Sequence, residues 1–108
     1  MSDPMTCLFN EVREEVARAR AKFPEPLYTM TALSEEVGEL ARAVLHTCGT
    51  NEPDPYATGE VHKEAVQVMA MCVRLLHDGD RSLGLPAFVE EIRRMTPHPE
   101  PESREAGL

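Results

Sequence analysis

Residues 29–46, TMTALSEEVGELARAVLH, decide the fold. Met30, Leu33, Val37, Leu40 and Val44 follow one another in alternating steps of three and four, the spacing of a single helix face. The stretch therefore predicts an amphipathic helix, and Thr31 and Ser34 are candidates to supply hydroxyls near its start. Working outward, the prolines punctuate the chain. Phe23-Pro24-Glu25-Pro26 closes an earlier proline-free window, in which Phe9, Val12, Val16 and Ala19 predict a first helix over residues 6–22. On the other side, Gly49, Asn51, Pro53, Asp54 and Pro55 mark a loop over residues 47–58. A third helix follows over residues 59–77, with two apolar stripes: Val61, Ala65, Val68, Cys72, Leu75 and Val66, Met69, Val73, Leu76. Two stripes imply cover on more than one side. Pro86 stands at the favoured first-turn position of a short fourth helix reaching Met95. The fold class is all-α: a compact bundle of three main helices plus a short fourth, completed by oligomerisation in the manner of a four-helix bundle. Residues 1–95 form one domain, and residues 96–108 read as a disordered, acidic, proline-rich tail.

Composition narrows the function. The 108 residues hold 19 acids against 11 bases, a formal charge of −8, which disfavours nucleic acid or an anionic membrane as partner because both need a positive footprint. No apolar stretch approaches the roughly 20 residues that span a bilayer. Three cysteines (Cys7, Cys48, Cys72), with no C-x-x-C pair and no secretory leader, point to a reducing cytoplasm. Five aromatics and no tryptophan disfavour an aromatic stacking surface for single-stranded nucleic acid.

The informative residues interrupt the apolar stripes. Glu35, Glu36 and Glu39 project over about a quarter of the second helix's circumference. On the third helix Glu60, Lys63, Glu64 and Gln67 share a face that Met71 and Arg74 continue. If residues 47–58 close an antiparallel hairpin, Glu39 and Glu64 both lie roughly 7–11 Å from the turn, and Glu36 and Gln67 roughly 12–15 Å. Four facing side chains, three of them carboxylates, make an oxygen cage suited to Mg²⁺ or Mn²⁺. The simpler alternative is a pair of solvated acidic faces, since glutamate is a good helix former. His46, Cys48 and His62 flank the loop at spacings that fit no zinc pattern, and Cys72 and Met69 read as core.

Ser34-Glu35-Glu36-Val37-Gly38-Glu39-Leu40 resembles the E-E-x-x-E signature of the MazG-like, all-α nucleoside triphosphate pyrophosphohydrolases. Lys63-Glu64-Ala65-Val66-Gln67-Val68 stands where that family has its second motif, usually E-E-x-x-D. The resemblance implies metal-dependent hydrolysis of nucleoside triphosphates, often deoxy or non-standard ones, to monophosphate and pyrophosphate. It makes Glu36, Glu39 and Glu64 metal ligands, with Gln67 as a neutral fourth, and gives Glu35 the attacking water. Lys63, Arg74 and Lys22 would complete a phosphate clamp. Lys63 and Gln67 depart from the family pattern, and one fewer carboxylate weakens a metal site. The resemblance also implies a homodimer or homotetramer. The rival expectation is a non-catalytic helical interaction module whose metal site has decayed.

Overall fold

The computed structural model describes residues 3–49 and 58–95. Most of the expected loop over residues 47–58 and the whole of the expected tail lie outside the described residues. Four helices follow in order: α1 (Pro4–Lys22), α2 (Thr29–Val44), α3 (Thr58–Asp78) and the short α4 (Val89–Met95). A π-helical turn, Leu45–Gly49, extends α2, and a 3-10 turn, Arg81–Leu83, lies between α3 and α4. The fold is all-α, three main helices and one short, and the described residues contain no strand. Their only β feature is a bridge between Asp80 and Leu85. No described helix is long and apolar enough to cross a membrane.

α3 is the central element. Its main neighbour is α2, α1 packs along another side, and α1 and α2 scarcely touch. Val12 and Val16 of α1 meet Val66 and Ala70 of α3, with Leu8 and Met69 at the margin. One of the two α3 stripes is therefore core only over its first half: Val73 and Leu76 are exposed. Cys72 is exposed as well, against the expectation of a core residue. At the far end of the α1–α3 pair, Arg20 grips Asp78 through two bonds of 2.9 Å. Arg74 adds a third at 3.1 Å. Partial burial would raise the Asp78 carboxyl, but the hydrogen bonds from Arg20 and His77, the Arg20 charge and Arg74 outweigh it and hold it at about 2.

Helix ends differ from expectation for local reasons. α1 starts two residues early because Asp3 caps it, accepting from the Thr6 N–H at 2.8 Å, with Pro4 in the first turn. α4 starts at Val89 rather than Pro86, since the Phe88 N–H is already bound to the Leu76 carbonyl of α3. Neither Thr31 nor Ser34 caps α2. Tyr28 stands at its N-cap in the left-handed region, φ 58°, with no cap bond from its own side chain. The cap comes instead from Asp80, whose carboxylate accepts from the Met30 N–H at 2.9 Å and the Tyr28 N–H at 3.0 Å.

Gly79 makes the turn that delivers Asp80. Its φ is +82°, and a Cβ there would stand 2.5 Å from the Leu85 carbonyl oxygen. Gly38, inside α2, has open space around it. Gly79→Ala should therefore cost about 2 kcal/mol or more. Gly38→Ala should stabilise by about 0.5–1 kcal/mol through helix propensity. Urea unfolding of the two variants checks both signs.

Candidate functional site

The α2–α3 contact carries carboxylates where an apolar seam is usual. On α2, Ala43 is buried and Glu36 is half-buried. From α3 comes Glu64, only 7% exposed. Ligand atoms of Glu36, Glu39 and Glu64 all lie within 4.8 Å of one another. Gln67 sits beside them: with its amide nitrogen toward the acids, it donates to Glu36 Oε1 at 2.9 Å and to Glu64 Oε1 at 3.1 Å. Among the described residues, no lysine, arginine or histidine forms an ion pair with any of the three glutamates. The Glu36 carboxyl is consequently pushed up to about 7, by partial burial first, then by its hydrogen bond with Glu64 and the charges of Glu39, Glu64 and Glu15.

This donor set fits a hard divalent cation. Oxygens sharing one Mg²⁺ at about 2.1 Å lie within about 4.2 Å of each other, a difference that glutamate side-chain rotation closes. The unbalanced charge is also what a cation removes. The cluster is a candidate acidic metal-binding site.

Beside it runs an open cleft of about 840 Å³ between the C-terminal half of α1, the 23–29 connector and the first turns of α2. Glu35, Glu36 and Gln67 border one end. Arg18, Lys22 and Arg74 bring three cationic groups to its walls, Arg18 paired with the neighbouring Glu15 at 2.7 Å, Glu25 adds a further acid, and Phe23, Leu27, Tyr28, Ala32 and Met71 supply the apolar lining. Of the residues expected to hold phosphate, Lys22 and Arg74 reach this cleft and Lys63 does not. Lys63 lines an adjoining depression of about 310 Å³ with Glu11, Glu14 and His62, which shares Glu15, Arg18 and Gln67 with the cleft, and His62 pairs with Glu11 there at 2.5 Å. Arg74 is buried and partly engaged, by Asp78 and by the Ala19 carbonyl at 3.3 Å. Glu35 is exposed at the cleft edge.

Sequence reading did not single out Arg18, Phe23 or Tyr28. The available signal was the basic end of α1 (Arg18, Arg20, Lys22) running into Phe23. Only the packing of α1 beside α3 shows which of these line a cleft. The Lys22 ammonium lies 5.6 Å from the Phe23 ring centre, a cation–π distance. Comparison with protein-family models, curated proteins and solved structures gives no match for this chain.

The raised Glu36 pKa fixes a pH sign. The folded protein binds the Glu36 proton more tightly than the unfolded chain, so this group's stabilising contribution is full below about 4.5 and is lost as pH rises through about 7. In chelator-treated protein, Glu36→Gln should therefore raise the melting temperature at pH 8 and leave it nearly unchanged at pH 4.5. Added Mg²⁺, which needs the ionised acid, should stabilise the parent more at pH 8 than at pH 6. Calorimetric melts at the three pH values check both effects.

Proposed function

We propose that this chain is a metal-dependent nucleoside triphosphate pyrophosphohydrolase, acting on nucleoside triphosphates, deoxynucleotides foremost, in the way its MazG-like resemblance implies. The observation that carries the reading is the meeting of Glu36, Glu39 and Glu64 beside a cleft with three cationic groups on its walls. A solvated acidic face needs neither the convergence nor the adjoining cations. Magnesium or manganese, when bound, supplies charge neutralisation on the phosphates and lowers the pKa of water. Glu36, Glu39 and Glu64 would hold it, with the Gln67 amide oxygen as a neutral fourth donor. Arg18, Lys22 and Arg74 draw the polyanionic phosphates into the cleft and keep them there. Phe23 and Tyr28 offer aromatic surface to the base.

Glu35 borders the cleft one residue from Glu36 and takes the proton from the attacking water. The water oxygen bonds to the α-phosphorus as the bond from that phosphorus to the bridging oxygen breaks, and pyrophosphate leaves. Lys63, which lines the adjoining depression and not the cleft itself, takes no part in this scheme.

A second copy of the chain completes the bundle in the same proposal. Met30, Val37 and Val44 repeat every seven residues along α2 and are all exposed, Val37 at 48%. With Leu33 and Leu40 between them they make the a/d pattern of a helix seam. These exposed residues are also what favours the second reading, a helical interaction module without catalysis. Ultracentrifugation should find a dimer or tetramer at micromolar concentration, and Val37→Glu should shift it toward monomer; a monomeric parent at 100 µM or so removes the seam from the account.

Activity separates the two readings. A pyrophosphatase-coupled phosphate-release screen over the common triphosphates, with Mg²⁺ and with Mn²⁺, should find turnover. Glu35→Gln keeps shape and removes the base, so hydrolysis should fall by roughly 10²–10⁴-fold while metal-dependent triphosphate binding survives. No turnover of any triphosphate by the parent would favour the interaction module.

A further inference from the structure

Asp80 is completely buried, yet it belongs to no apolar core and ligates nothing in the cluster. Among the described residues, every hydrogen bond to its carboxylate comes from one of two places. Oδ1 accepts from the Tyr28 N–H at 3.0 Å and from Ser82, through N–H at 3.1 Å and hydroxyl at 2.5 Å. Oδ2 accepts from the Met30 N–H at 2.9 Å. Ser82 Oγ also accepts from the Tyr28 N–H, at 3.1 Å, and the Arg81 N–H donates to the Pro26 carbonyl at 2.7 Å. The segment just past α3 is thus bound, 50 residues away in sequence, to the connector that enters α2.

Two consequences follow from geometry. α2 and α3 are antiparallel and joined by chain at one end only. Asp80 closes the opposite end, where α3 stops and α2 begins, and so fixes the height of Glu36 and Glu39 against Glu64. A slip of one residue is 1.5 Å, more than a small octahedral cation tolerates. The second consequence concerns Tyr28, the one non-glycine residue with positive φ among those described. Left-handed backbone is costly for a bulky residue and persists only where surrounding bonds over-determine it. Here the two acceptors on its N–H do so, and its ring lines the cleft.

We infer that Asp80 is a positioning residue for the cleft, setting the α2–α3 register and holding Tyr28 left-handed at the cleft wall. The inference rests on the proposed function, since it takes the cleft ligand to be a metal-bound nucleoside triphosphate. Three variants separate its parts. Asp80→Asn leaves one acceptor where two are needed. Val16→Ala loosens the α1–α3 core away from the clasp. Tyr28→Gly removes the ring and relieves the backbone.

Calorimetric titration at 10 °C, with Mn²⁺ alone and then with Mn²⁺ and an α,β-imido deoxynucleoside triphosphate, reads all three. Asp80→Asn should weaken Mn²⁺ by roughly 10-fold or more, the usual effect of losing a group that supports a metal site from outside. Val16→Ala should melt earlier and bind as the parent does. Tyr28→Gly should keep its Mn²⁺ affinity and lose nucleotide affinity alone. Linkage provides a test needing no variant: if the clasp favours ligand, ligand must favour the clasp. Amide exchange at Tyr28 and Met30 of the parent should then slow roughly 10-fold with Mn²⁺ and nucleotide bound. Parent-like affinities in Asp80→Asn, or unchanged exchange at both amides in a parent that binds, overturn this inference and leave the proposed function standing. A parent that binds neither Mn²⁺ nor the analogue overturns both.

Discussion

Three carboxylates forced together at the main helix–helix contact are the constraint on which the rest depends. Like charges 4.8 Å apart repel by about 1 kcal/mol in water and by about 3 kcal/mol at an effective dielectric of 20. A chain selected for stability alone would place apolar residues at this seam. This one places Glu36 and Glu64 there, gives them Gln67 as hydrogen-bond donor, and sets no cationic side chain against them among the described residues. A raised Glu36 pKa is the electrostatic result. Repulsion left unrelieved by the protein is relieved by a cation, so the cost in stability and the capacity to bind have one cause.

The surrounding architecture answers that cost. The small apolar core, Val12, Val16, Val66 and Ala70, joins α1 to α3. Polar bonds reinforce both long contacts. Asp78 gathers Arg20 and Arg74 where α1 meets α3, and Asp80 gathers the first amides of α2. Asp78 ends α3 and Asp80 stands two residues on, and each keeps its carboxyl below the usual range: Asp78 through Arg20, His77 and Arg74 against its partial burial, Asp80 through the Met30 N–H foremost and Ser82 after it. The 23–29 connector, caught between these two anchors, becomes the wall of the cleft.

Much of this was legible in the sequence. Period-3.6 patterning gives α2 and α3 within two residues of their observed ends, and helical rise places Glu36 opposite Gln67 and Glu39 near Glu64 before any packing is known. What periodicity does not carry is the choice of partner. The α2 stripe of Met30, Val37 and Val44 reads as a buried face, yet in the single chain it stays exposed while Ala43 and Glu36 meet α3. Hydrophobic spacing identifies a face but not what covers it. Nothing local distinguishes Asp80, because its partners at the start of α2 lie 50 or more residues upstream. Lys63 and Glu64 are neighbours in sequence, but 100° of helical turn sends the lysine to the depression adjoining the cleft.

The central claim is that a divalent cation sits between α2 and α3, beside the cleft, and it can be located directly. Substoichiometric Mn²⁺ added to ¹⁵N-labelled protein broadens amide signals within roughly 15 Å of the ion. The account predicts broadening centred on residues 35–40 and 63–68, reaching the cleft wall around residue 28, while α4 signals stay sharp and excess Mg²⁺ reverses the effect. Broadening centred on Glu90 and Glu91 instead, or spread evenly over the acidic surface, would contradict it.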